Sequence, residues 1–130
     1  LQIAPLKVGA GEEVQVKVRV KNSGEIIGDE VVQLYTHQTY ASIPRPLKEL
    51  KGYQRLTLEP GEERQITFRL PVNMLAFYGH DLNLRLEPGE VEVMVGSSSE
   101  DIRLSDTFEI AGKGEMPVEQ RVFRCPVDVD

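Results

Sequence analysis

Apolar and polar residues alternate with period two along most of this chain. From Glu12 to Lys21, Val14, Val16, Val18 and Val20 fall on one side, and Gln15, Lys17 and Arg19 on the other. Strict alternation built from β-branched residues predicts a strand with one buried face. Asn22, Ser23 and Gly24 follow, a turn tripeptide, because Asn and Gly tolerate positive φ. Ahead of this strand, Leu1 to Val8 reads as a first edge strand interrupted at Pro5.

The next strand runs from Glu30 to His37. Val32 and Leu34 share one face, while Val31, Gln33 and Tyr35 share the other. Apolar groups on both faces predict a strand covered on both sides, or one that meets another protein surface. Residues 38–47 then hold Pro44 and Pro46 around Arg45. Proline fixes φ and removes a donor, so this connection is stiff and extended. A strand from Glu49 to Leu58 follows, in which Leu50, Leu56 and Leu58 share parity but Tyr53 does not. Gly52 beside it leaves two readings open: a bulge that re-aims Tyr53, or a Tyr53 that faces outward.

Leu-Glu-Pro-Gly-Glu occurs at Leu58–Glu62 and again at Leu86–Glu90. Pro followed by Gly is the chemistry of a type II turn. Each copy launches an alternating strand, with Ile66, Phe68 and Leu70 after the first and Val91, Val93 and Val95 after the second. Pro71 to Ala76 is the one segment that reads as a helical turn. Phe77 to Leu86 reads as a hairpin with its tip at Gly79–Asp81 and Leu82, Leu84 and Leu86 in step. Residues 96–99 form a Gly-Ser loop before a last strand from Ile102 to Ile110. About seven to eight short strands with a turn signal every ~10 residues predict an all-β, immunoglobulin-like antiparallel β-sandwich. The domain is expected over residues 1–111, with residues 112–130 as a tail lying along a surface.

At 130 residues the chain has room for one domain. A chain this long buries roughly two-thirds of its unfolded surface, enough for a core without staples. Composition is that of a globular protein, 40% hydrophobic and 28% charged. A net charge of -6 with no Lys/Arg cluster argues against a nucleic-acid partner. No apolar run approaches the ~20 residues that a bilayer-spanning helix needs, so no membrane partner is expected. Cys125 is the only cysteine, which rules out an intrachain disulfide and leaves the compartment open between cytoplasm, periplasm and secretion. A start at leucine points to a piece of something longer.

Candidate chemistry is sparse. His37 and His80 sit at a strand end and a hairpin tip with no carboxylates placed around them, so neither metal nor cofactor is expected. Ser97, Ser98 and Ser99 lack a G-x-S-x-G elbow. Carboxylates stand at turns and on polar strand faces rather than at apolar positions, unlike the convergent pair of a glycosidase. Arg124 beside Cys125 is placed to lower the thiol pKa slightly. Tyr35, Tyr40, Tyr53 and Tyr78 are candidates for a glycan-stacking platform, against a bland role capping the core.

Taken in order, several motifs carry a resemblance. They are Lys21–Gly24, GDEVVQLY from Gly28, PRPLKELKG from Pro44 with Tyr53 and Arg55 after it, the first LEPGE, Phe77–Tyr78, and LEPGEVEVMVGSSSEDIRL from Leu86. Over roughly Val14 to Ile110 the chain resembles the C-terminal fibronectin type III-like domain of glycoside hydrolase family 3, which includes β-glucosidases and β-xylosidases. It departs from that pattern at Leu84 and Val91, where aromatics are usual. Glu92 stands where ordinary fibronectin type III domains carry a corner tyrosine.

The resemblance implies a non-catalytic accessory domain that packs on and stabilises catalytic domains absent from this chain. The family's nucleophile lies in a Ser-Asp-Trp-like motif on a barrel. Ser105-Asp106 is followed by Thr107, and no catalytic residue is transferred. The stiff connection is the expected interdomain contact, through Tyr40, Pro44, Arg45, Pro46, Leu47 and Lys48. The alternative is a carbohydrate-binding module using exposed tyrosines.

Overall fold

A computed structural model describes residues 1–39, 48–78, 84–112, 116–117 and 124–130. The first eight residues form β1 (Gln2–Ala4) and β2 (Lys7–Val8), separated at Pro5. They are followed by β3 (Glu13–Lys21), β4 (Gly28–Gln38), β5 (Glu49–Leu58) and β6 (Glu63–Pro71). A single 3-10 turn spans Val72–Leu75, where the sequence predicts a helical turn. Then come β7 (Phe77–Tyr78), β8 (Leu84–Leu86), β9 (Gly89–Ser98), β10 (Asp101–Ile110), β11 (Met116–Pro117) and β12 (Val127–Val129).

Two sheets pack face to face as the predicted β-sandwich. One has the order β1-β3-β6-β12, the other β2-β10-β9-β4-β5. A small third sheet has the order β11-β8-β7, and within it the flanks of the expected 77–86 hairpin pair antiparallel; its tip, Gly79–Asp81, lies outside the described residues. The expected single edge strand over Leu1–Val8 is divided between the layers. β1 pairs antiparallel with β3, and β2 pairs parallel with β10. The core follows the alternation directly. Val14, Val16, Ile66, Phe68 and Leu70 from one sheet meet Leu34, Val91 and Val93 from the other, all fully buried.

The end of the tail joins the framework. β12 pairs with β6 as an edge strand, and Cys125, Val127 and Val129 pack against the core.

The two LEPGE copies adopt different shapes. At Glu59–Glu62 the Glu62 N–H donates to the Glu59 carbonyl at 3.0 Å and Gly61 has φ 78°, which is type II turn geometry. The second copy has φ 130° at Gly89, where β9 begins, and buries Glu87. Five identical residues thus give a tight turn that carries the chain from one large sheet to the other in one place. In the other they give an entry from the small sheet into the large one.

A candidate docking site on strand β5

Of the six residues expected to make an interdomain contact, Tyr40, Pro44, Arg45, Pro46 and Leu47 lie outside the described residues. Lys48 is described, and its ammonium donates to the Ser99 carbonyl in the β9–β10 connection. That bond ties the start of β5 to the neighbouring hairpin of the same chain.

Directly after Lys48 the ladder between β4 and β5 slips. Leu34 stands opposite Gly52, yet Tyr35 stands opposite Leu50, so Lys51 is an extra residue on β5. Of the two readings of the Gly52–Tyr53 parity fault, the outward-facing Tyr53 is the one realised, and the bulge re-aims Leu50 instead. A bulge is present, and Tyr53 faces outward with 65% of its surface exposed. The shared parity of Leu50 with Leu56 and Leu58 does not survive. Those two are buried, but an inserted residue swaps the faces of a strand, and Leu50 emerges on the outer side, 50% exposed.

Lys51 takes the inward place instead. Its side chain is only 6% exposed; its ammonium lies 3.2 Å from a Glu49 carboxylate oxygen and 3.3 Å from the Met74 carbonyl. Met74 belongs to the 3-10 turn, which the connection leading into β3 also holds. The Val72 N–H donates to the Glu12 carbonyl at 2.9 Å, and Asn73 Oδ1 accepts from Gly11 N–H at 3.0 Å. The bulge thus fastens one end of the sandwich through a buried ammonium, which needs such partners to be tolerated. Sequence reading missed Glu49 and Lys51; the one available signal was a glycine interrupting a strand pattern.

Beside the bulge lies an open groove of about 540 Å³, bordered by Leu50, Gly52, Tyr53, Gln54 and the 124–127 segment. At Gly52 a Cβ would stand 3.3 Å from both Cys125 Sγ and Phe68 Cδ1, so the strand and the tail approach closely here. The thiol is not activated. Burial, reinforced by Glu13, pushes Cys125 up to about 11, opposite to the lowering expected from Arg124.

The remaining candidates separate cleanly. Tyr35 is buried and its hydroxyl donates to the Gln33 carboxamide oxygen, so it is no platform. Tyr40 and the side chain of Tyr78 are outside the described residues. His37 pairs across the ladder with Glu92, and His80 lies outside the described residues. Among the described residues no three His, Cys, Asp or Glu side chains gather as a metal site.

The exposed carboxylates support turns and strand pairs. Asp29 accepts from Thr57 Oγ1 at 2.7 Å and pairs with Arg55 at 3.3 Å, and these contacts hold its carboxyl below the usual range. Asp101 is held down likewise by Arg103 and by Ser97, whose hydroxyl donates to it at 2.7 Å. Asp106 accepts from the Thr107 N–H at 2.8 Å and is exposed on β10.

Comparison with known proteins decides the family. The model of the fibronectin type III-like domain matches residues 30–99, more than half of the chain. This chain is a fibronectin type III-like domain. The matched stretch contains the bulged strand and both LEPGE copies.

This fibronectin type III-like domain is 44% identical over 92 residues to a β-xylosidase of Formosa agariphila, covering 71% of the chain and 13% of that protein. It is 40% identical over 98 residues to thermostable β-glucosidase B of Acetivibrio thermocellus, covering 75% of the chain and 13% of the relative. Among solved structures, the β-glucosidase of Listeria innocua in complex with glucose superimposes with a TM-score of 0.80 at 40% identity, over 86% of this chain and 15% of that one. The chain therefore spans about an eighth of the curated relatives it matches and corresponds to one domain of such larger enzymes.

Proposed function

We propose that this domain is a non-catalytic accessory module of a family 3 glycoside hydrolase. Its work is to pack on and stabilise the catalytic domains, which this chain does not contain. The observation that carries this reading is the coverage: nearly the whole sandwich matches about an eighth of each β-glucosidase or β-xylosidase relative. The rest of each relative is thus available to hold a glycosidase site, and the chemistry described in this domain holds strands and turns together. Inter-domain interfaces within a chain resemble protein–protein interfaces and are more polar than a core. The sequence Pro44-Arg45-Pro46-Leu47-Lys48, with cations beside prolines that fix φ, suits such a contact.

The test is replacement of Arg45 and Leu47 by alanine in the complete enzyme. A lower melting temperature, with reduced activity at elevated temperature, is the expected result. Unchanged melting temperature and activity would sink the proposal.

A further inference from the structure

The bulge in β5 has an unusual product: a leucine and a tyrosine turned to solvent on one face of an edge strand. Leu50 and Tyr53 are 50% and 65% exposed, while without the inserted Lys51 the leucine would carry the inward parity of Leu56. The groove at their side is bordered by Arg124, an exposed cation with no ion pair among the described residues. Exposed aromatic and arginine side chains are enriched in protein interfaces and among their anchoring residues.

We infer that the outer face of β5 at Leu50 and Tyr53, with Arg124 at the groove's rim, is the surface on which this domain seats against the remaining chain of its parent glycosidase. The inference rests on the accessory-domain reading and adds the location of the contact. Two observations favour that occupant. The patch begins two residues beyond Lys48, so it continues the contact expected of the proline connection without a break. Relatives also carry roughly seven-eighths of their length outside this domain, which supplies a partner at fixed proximity.

The bulge also narrows how the partner sits. A free edge invites strand addition, whereas a bulge disrupts the ladder that an added strand would extend. Docking is therefore through side chains, with an apolar partner surface that places a carboxylate opposite Arg124.

The experiment uses the complete polypeptide carrying this domain, with Leu50→Ser and Tyr53→Ser combined, a Leu50→Gln single variant, an Ile26→Ser/Ile27→Ser control and a deletion of the domain. Ile26 and Ile27 are exposed apolar residues on the β3–β4 connection. Limited proteolysis should release the domain from the double variant on the order of tenfold faster than from wild type, the effect of losing interface anchors worth a factor of ten or more. Leu50→Gln should move the rate in the same direction, and the isoleucine control should not.

An unchanged rate in both β5 variants, with the deletion still shortening the enzyme's lifetime on heating, overturns the assignment of this face alone. A deletion without effect overturns the accessory-domain reading beneath it. Retention on insoluble polysaccharide that Tyr53→Ser abolishes, with proteolysis unaltered, would make the face a glycan platform and also overturn the inference.

Discussion

Gly96 shows how tightly a single position can be constrained in a sheet. A Cβ added there would stand 2.1 Å from the Asp101 carbonyl oxygen and 2.8 Å from Ile102 Cα. Both contacts are backbone, so the neighbours cannot yield by changing rotamer. Gly96→Ala should lower the unfolding free energy by about 1–3 kcal/mol, the usual range for overpacking, read as a lower urea midpoint at unchanged slope. Nothing in the sequence flags this glycine, because it reads as the start of a Gly-Ser loop. The close approach arises from the register slip at the start of β10, where Asp101 faces Ser98 and Ile102 faces Gly96.

Cys125 gives a second residue-scale prediction. Its ordinary thiol value of 9.0 is raised to about 11 in the fold. Folding therefore favours the protonated thiol. That contribution is fully present below the unfolded value and is lost as pH rises from about 9 toward 11. At pH 8.5 the folded domain should react with a thiol reagent on the order of a hundredfold more slowly than the same chain in denaturant, reflecting its smaller thiolate fraction. Comparable rates in the two states would show that burial does not protect the sulfur.

Elements were legible where one face is buried and the ladder is regular. β3 and β6 follow their valine, isoleucine and leucine alternation residue for residue, and their pairing runs without a slip from Glu13↔Pro71 to Lys21↔Glu63. The pattern failed at β5, since one inserted residue reverses inside and outside for everything beyond it. Leu50 and Lys51 exchanged places relative to their hydrophobicity, a swap that periodicity cannot foresee. The second LEPGE failed for a related reason: Glu87 is buried by its surroundings, not by its own preference.

β12 lies in the stretch that the sequence reads only as a surface tail. Yet the Arg69 N–H donates to the Pro126 carbonyl at 2.8 Å, and Asp130 and Gln65 exchange backbone bonds. Deleting residues 126–130 should cost about 2 kcal/mol or more from the half-buried Val127 and Val129. It should also leave β6 as a free edge prone to self-association. Urea unfolding and light scattering would report the two effects separately.

At the scale of the molecule, the sandwich was written in the spacing of turns and alternating runs, and the family in the order of its motifs. The docking face was not legible, because it depends on a bulge and on a tail brought beside it from more than seventy residues away in sequence. In its relatives the matching domain is about an eighth of a larger enzyme chain. The purified domain should release no aryl alcohol from an aryl β-glucoside, and turnover that survives repurification would overturn the accessory reading.

The division of the first eight residues between the two layers has a mechanical consequence. β1 and β2 lie on the edge strands' side of their respective sheets and are joined through Leu6, whose carbonyl accepts from the Glu109 N–H at 2.8 Å. They act as a stitch. Prising the layers apart along that side loads both pairings through one short thread, so the seam cannot open until one of them tears. On the opposite side, where β5 and β12 face each other across the groove, the Glu59–Glu62 turn carries β5 directly into β6 at one end, while at the other end the Lys51 ammonium holds the Met74 carbonyl at 3.3 Å. A load on that side should therefore start its opening at the Lys51 end, where the fastening is a hydrogen bond and not the chain itself, beside the surface that a docked partner would clamp shut.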